Sequence, residues 1–583
     1  MKMEKSLSEY MKLSEKLEIE KHEKKIKLAF LSSFTITGLP EILKTKCNEK
    51  QISCQTYLGS YNQYPQEILN LDSSLYRFNP DLTFLIFDLR NIFGEHFFYS
   101  SDLKPSQKKE FIIEKINELK NLFEVFSNNS NSKLVVSNLN VPFYSSYGIA
   151  EQNSEFGFHE MISYFNSLLK ELVKKSDNIF LLDFNNFVSR YGEENIFNYR
   201  NYFFGDIKIS LNLLPFFGEY LMSFVIAFLG ISKKCVVLDL DNTLWGGIIG
   251  EDGFDNIALG PQPPGNTFYE FQKFLKGLSK RGILLAINSR NNFEDAIKVI
   301  REHPFMILRE NDFSCIVINW GNKVQNLQEI AKKLNIGIDS LVFFDDDPVN
   351  REFVKKELPE VTVPELPKDS SEFSNILLAL NDFSSFEITK EDVKRKEMYL
   401  HQKKRLDLEQ SSSNLEDFLK TLDIRVTIEK ANNFTIPRIS QLTLKTNQFN
   451  LTTKRYQKED IEKFNQSENY LVCSAKVTDK FGDNGLTGVC IIEKQKDTWI
   501  IDTFLLSCRI MGREIEKIIL NYIIKEAKQN NVKTIRAKFI PTEKNFPIEN
   551  FLPSCGFKKI NDYWEFEIGK LFSAPEFITL VET

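Results

Sequence analysis

Apolar runs of strand length recur along the chain, and several of them break abruptly into polar or acidic residues. Runs at 26–31, 82–89, 133–136 and 179–184 alternate with longer amphipathic stretches such as 107–126. This rhythm predicts a parallel sheet with crossover helices. Further runs at 235–238, 283–287 and 341–344 are continuously apolar, as expected for strands buried on both faces. From about 416 the texture changes. Asp483-Asn484-Gly485 lies between alternating flanks and predicts a tight turn. After Ser507 a strand gives way to a predicted helix over 513–530, whose Ile515, Ile518, Ile519, Tyr522 and Ile523 form one apolar face. The first 25 residues mix Lys and Glu with apolar residues at helical spacing and predict a solvated helix. Together these patterns predict an α/β multidomain chain. A helix over 1–25 precedes an α/β domain over 26–231 and a second over 232–370, after which a helical linker over 371–415 leads to an α+β domain over 416–583.

Chemistry concentrates where the buried runs end. Asp239 and Asp241 follow the run at 235–238, with Thr243 two residues on, and at a strand end both carboxylates can converge on one ion. A hard cation such as Mg²⁺ takes carboxylate oxygens together with substrate phosphate. Asp239 is then the candidate nucleophile and Asp241 the general acid and base. A turn capped by Asp and Asn gives the same local sequence without any chemistry. Three further pieces follow in order. Ser289 ends the next run and can donate to a phosphate oxygen, Lys323 opens a helical stretch as a compact positive charge, and Asp345-Asp346 end the run at 341–344. Open parallel sheets bind ligands outside the carboxyl ends of their strands, which is where all four pieces fall.

In that order the motifs resemble those of the haloacid dehalogenase (HAD) phosphatase superfamily, and the wording from Leu238 to Gly253, at Asn319-Trp320 and from Leu334 to Asp346 resembles its FkbH-like branch. The resemblance implies a Rossmannoid phosphatase domain without a large cap. It implies Mg²⁺ held by Asp239, Asp241, Asp345 and Asp346, with phosphate held by Thr243, Ser289 and Lys323. It also implies an activity: a glyceryl unit from 1,3-bisphosphoglycerate is dephosphorylated and loaded onto the phosphopantetheine thiol of an acyl carrier protein, as a three-carbon unit for secondary-metabolite or surface-glycan synthesis. In proteins of this length the segment before the HAD block resembles an SGNH hydrolase. Ser32-Ser33 follow its first strand, but no His stands near Phe204 to Ser210, so a catalytically silent domain is expected. The C-terminal segment resembles a GNAT acyltransferase, which implies pantetheine contacts at Asn447, Asp483, Arg509 and Gly512. Cys508, flanked by Arg509 and Arg513, is the candidate acyl-carrying thiol, although a free Cys is more often a small buried residue. The branch often has Cys-Ser-Lys-Asn as its second motif, where this chain has Asn288-Ser289-Arg290-Asn291. A plain phosphatase for another ester, or an acyltransferase using coenzyme A, remain the rival readings.

Composition narrows the partners. A net charge of -6 gives no reason to expect nucleic acid, and an acidic carrier would need a local basic patch such as 390–399. The eight cysteines form no C-x-x-C pair, and the charged start does not resemble a signal peptide, so a reduced cytoplasmic protein is expected. The apolar stretch 213–231 is interrupted by Pro215, Gly218 and Glu219 and predicts a buried helix instead of a membrane span.

Overall fold

The computed structural model describes residues 5–17, 22–411 and 414–582. The chain packs as two units, Met1–Val225 and Ile226–Thr583. In the first unit, β1 (Lys24–Ser32), β2 (Ile52–Leu58), β3 (Leu82–Ile86), β4 (Lys133–Ser137) and β5 (Ile179–Leu182) form a parallel sheet in the order β2-β1-β3-β4-β5. Strand β2 has no counterpart among the apolar runs. It is an edge strand whose later residues are only half-buried, so it lacks the continuous apolar signal of a central strand. Aromatic rings fill the core on one face, where Phe93 meets Phe111, Phe158 and Phe165 edge-on. At the end of β1, Ser33 is fully buried and its hydroxyl accepts the Asp88 N–H at 2.7 Å, while Ser32 accepts from Phe34 N–H at 3.2 Å. Both hydroxyls serve the backbone, and no histidine is bonded to either. The expected N-terminal helix is present as Leu7–Ser14, closed by a Ser6–Glu9 capping box; residues 18–21 of the expected span lie outside the described residues.

The second unit holds two sheets. Strands β6 (Cys235–Leu238), β7 (Leu284–Ser289), β8 (Cys315–Ile318) and β9 (Leu341–Phe344) are parallel in the order β8-β7-β6-β9. Between Asp241 and β7 lie only the short turn Ile249–Asp252 and the helix Gly265–Lys280, so no cap domain is inserted. The sequence boundary at 370 falls inside a packed core. Phe373, Leu377 and Phe383 are buried in the same cluster as Val236, Leu238 and Trp245, and Leu366 belongs to it too, with Arg351 donating to its carbonyl at 3.2 Å.

The helix Lys390–Ser411 corrects a second expectation. Part of it turns inward: Asp392, Met398 and Tyr399 are buried, and Arg405 holds Asp479 with two bonds of 2.7 and 2.8 Å, while Lys394 is exposed. Charged residues at 390–399 hide an inward face in the sequence because Lys and Arg stems cover apolar surface. Beyond it, β10 (Arg425–Lys430), β11 (Phe449–Asn450), β12 (Tyr470–Asp479), β13 (Gly482–Lys494), β14 (Thr498–Leu506), β15 (Thr534–Ala537), β16 (Lys558–Ile560), β17 (Tyr563–Glu567) and β18 (Thr579–Glu582) form one mixed sheet. Its centre is antiparallel, but β14 pairs in parallel with β15 across the helix Ile515–Gln529. The predicted turn is displaced. Lys480-Phe481 make the hairpin connection, and Asp483 to Gly485 lie within β13, where the register slips and Gly485 takes φ +71°. The predicted helix at 513 starts at Ile515, after a short turn over Cys508–Ile510 and Glu514 in the left-handed region.

Gly282, at the entry to β7, has φ +90°, and a Cβ there would lie 1.8 Å from the Asp392 carbonyl oxygen. Gly282→Ala is therefore expected to cost at least about 2 kcal/mol, from left-handed strain plus displacement of the helix Lys390–Ser411, measured by urea unfolding.

Candidate functional site

The carboxyl ends of β6, β7 and β9, with the helix that follows β8, converge on one point. Asp239 follows β6 directly, and its backbone N–H donates to Phe344 O at 2.9 Å, which ties the ends of β6 and β9 together. Asp239, Asp345 and Asp346 bring carboxylate oxygens within 4.8 Å of one another. Between the first two sits Lys323, the first residue of the helix Lys323–Lys333. Its ammonium lies 2.8 Å from Asp239 and 3.1 Å from Asp345, with side-chain exposures of 1%, 12% and 0% for Lys323, Asp239 and Asp345. The third bond of that ammonium goes to Asn288 O at 2.8 Å, and the Asn288 amide returns a bond to Lys323 O. Lys323 therefore cannot swing away without leaving three acceptors behind.

One ammonium does not balance three carboxylates. Burial, and then the nearby Asp239 charge, push Asp345 up to about 6 and Asp346 up to about 7. A cluster of hard oxygen donors short of positive charge fits a divalent cation such as Mg²⁺. Asp241 stands apart from this group. One of its oxygens accepts Trp245 Nε1–H at 2.8 Å and Ile249 N–H at 3.1 Å, and the other accepts the Asn291 amide at 2.9 Å. Its side chain is thus committed to hydrogen bonds and does not join the cluster expected from the four aspartates, and burial raises its pKa. Ser289 is buried beside Asn291, and the Thr243 hydroxyl is buried with no hydrogen-bond partner.

Residues outside the expected set hold this geometry. Arg351 donates to the carbonyls of Asp345 and Asp346 at 2.9 and 2.6 Å, and Asn350 reaches both Asp345 oxygens at 3.3 Å. Asp347, third in the acidic run, caps the helix Pro348–Glu357. Asn288, Asn291 and Trp245 stand inside motifs visible in the sequence, but Asn350 and Arg351 carry no signal, since their bonds depend on the turn after β9.

The remaining expected residues lie elsewhere. Cys508, Arg509 and Asn447 line a cavity of about 350 Å³ between the β6–β9 sheet and the C-terminal sheet, together with Lys234, Arg438 and Lys445. Asp483 and Gly512 do not line it; Asp483 instead pairs with Lys476 at 3.0 Å. Lys234 precedes β6 whereas Asp239 follows it, so the cavity opens at the opposite edge of the sheet, roughly 16 Å from the aspartates along the strand. Cys508 is half-buried, and the other seven cysteines are buried.

Residues 27–226 match the FkbH N-terminal domain. A crystal structure of the N-terminal part of the protein BF1531 from Bacteroides fragilis, described as containing a phosphatase domain complexed with Mg, matches at 28% identity and a TM-score of 0.61. It covers 66% of this chain and 100% of that one. The ribosomal-protein-S18-alanine N-acetyltransferase from Escherichia coli matches at 13% identity and a TM-score of 0.21, over 25% of this chain and 96% of that one. No curated protein matches. The multidomain α/β class expected from the sequence is the one observed. Among the described residues, no helix is long and apolar enough to cross a membrane.

Two outcomes follow. Lys323→Met leaves two buried carboxylates uncompensated and is expected to destabilise the protein by about 3–5 kcal/mol in metal-free urea unfolding. In the cavity, burial and neighbouring Arg395 push Lys445 down to about 7. Its folded pKa lies below the unfolded value, so the cost of burying its charge is full below that pH and fades as pH rises toward the ordinary lysine range. Lys445→Met should therefore raise Tm most at about pH 6 and least at about pH 10, in phosphate-free buffer.

Proposed function

We propose that the protein is a HAD-type phosphatase coupled to glyceryl transfer. It takes 1,3-bisphosphoglycerate, passes the glyceryl group by way of a thiol to the phosphopantetheine arm of an acyl carrier protein, and hydrolyses the remaining 3-phosphate. The observation that carries the phosphatase reading is the Asp239–Lys323–Asp345 arrangement at the carboxyl ends of parallel strands. The FkbH N-terminal match and the likeness to a phosphatase domain that binds Mg support it.

Asp239 attacks phosphorus and forms an aspartyl-phosphate. Asp241, oriented by Trp245 and Asn291 and with its pKa raised, holds a proton more readily than an ordinary carboxylate; it protonates the leaving oxygen and later takes a proton from the attacking water. Lys323 and Ser289 bind phosphoryl oxygens, and Thr243 supplies a further hydroxyl. Asp239, Asp345 and Asp346 would hold Mg²⁺, which when bound neutralises these carboxylates and the transferring phosphoryl group.

The open edge of this sheet suits a macromolecular substrate. One exposed apolar residue follows each strand: Ile248 after β6, Phe293 after β7, Trp320 after β8 and Val349 after β9. A ring of apolar side chains around an uncapped site offers a landing surface for a carrier protein presenting its arm.

Asp239→Asn is expected to lower phosphate release from a simple phosphate ester by at least about a thousandfold with the melting curve unchanged; release near the wild-type rate would remove the nucleophile. With Mg²⁺, 1,3-bisphosphoglycerate generated in situ and a holo carrier protein, intact mass should show a glyceryl adduct on the carrier. Cys508→Ala should abolish that adduct and spare phosphate release from a simple ester.

A further inference from the structure

We propose that the cavity at the amino edge of the β6–β9 sheet is a second anion site, which binds the bisphosphorylated three-carbon acid beside Cys508. Acyl transfer there precedes removal of the other phosphate at the aspartate cluster. The proposal rests on the substrate reading above and adds to it a place and an order of events.

The cavity wall is cationic beyond its own needs. Lys234, Arg395, Arg438, Lys445, Arg509 and Lys544 face it, against the carboxylates of Asp339, Glu360 and Glu543. Two of the latter stand exposed at the rim, and Asp339 is taken up by Lys544. Arg395 is paired with Asp392 behind the wall, and Arg509 bonds Ser507 at 3.3 Å. The ammonium groups of Lys234 and Lys445 have no hydrogen-bond or ion-pair partner among the described residues. Arg438 is pushed down to about 9, first by burial and then by Arg509, and burial likewise lowers Lys234 and Arg509. Asp392 and Asp339 are shared among these mutually repelling cations and do not balance them, and an anionic ligand lowers the cost of burying the excess charge.

The geometry selects the phosphorylated form. A free glyceryl group is uncharged and gives the unpaired ammonium groups nothing to bind, whereas the bisphosphate carries two strongly anionic groups within a length that a cavity of about 350 Å³ accepts. Cys508 lies in the wall, with its carbonyl held by the Asn335 amide of the neighbouring sheet domain. The Cys508 sulfur forms a bond to the acyl carbon, the acyl C–O bond breaks, and inorganic phosphate leaves with the bonding pair. The departing phosphate takes the thiol proton. Because the aspartate cluster lies at the other end of β6, the 3-phosphate is removed only after the acyl group has left this cavity.

Because the other seven cysteines are buried, alkylation of the folded protein by iodoacetamide reads Cys508 by intact mass. The test uses Asp239→Asn protein, with 2,3-bisphosphoglycerate as a stable probe and glycerate as the uncharged-tail control. Expected is at least about a tenfold slowing of alkylation by the bisphosphate, none by glycerate, and loss of protection in Lys445→Met and Lys234→Met. Lys445→Arg should retain it. Equal alkylation rates with and without bisphosphate, or protection that survives both Met substitutions, would overturn the proposal. Should either Met variant melt early, the bisphosphate-against-glycerate comparison decides alone. Phosphate release from a simple phosphate ester persisting in Asp239→Asn would sink the phosphatase reading and leave this result standing.

Discussion

The buried ammonium of Lys323 is the contact on which the sheet's carboxyl edge depends. It joins the ends of β6, β7 and β9 through Asp239, Asn288 and Asp345, in a place where water cannot substitute for any of them. Like-charged aspartates would otherwise push the ends of β6 and β9 apart. Because the lysine begins a helix, the packing of that helix on the sheet, through Val324, Leu327 and Ile330, fixes the charge as well as the core.

Seen from Lys323, the surrounding polar residues form successive layers of restraint. Asn288 holds the lysine, Asn350 and Arg351 hold the two aspartates after β9, and Asn291 with Trp245 holds Asp241. Most of these partners are neutral or bond to backbone carbonyls, so they fix positions without cancelling the charge of the cluster. The negative charge remains available to a cation, and the open edge leaves room for a phosphoryl group.

The sequence disclosed this cluster because its parts are local: each carboxylate ends an apolar run, and run and residue are read together. The fold followed for the same reason wherever strands were continuously buried, as in β6 and β9, and it was missed at the half-buried edge strand β2. The cavity could not be read in that way. Lys234, Tyr399, Lys445 and Cys508 come from four distant stretches, and helical periodicity does not mark Tyr399 as inward-facing, since the residues one turn away, Arg395 and Lys403, are charged. Cys508 was read from its flanking arginines, and Asn447 and Arg509 came with the resemblance, while Asp483 and Gly512, chosen with them, lie off the cavity because the turn and the helix start are displaced from where the sequence put them.

The core that encloses Trp245 closes at Phe383, and everything the aspartate cluster touches is present by then. The cavity instead needs residues up to Lys544. During synthesis the chain therefore acquires its two pockets at different times, and the first is complete well before the second has walls. A ribosome stalled well beyond Phe383 would display a nascent chain with a finished carboxylate site and Lys234 still unroofed. The later sheet is thus a lid installed by translation itself, and the thiol arrives on it.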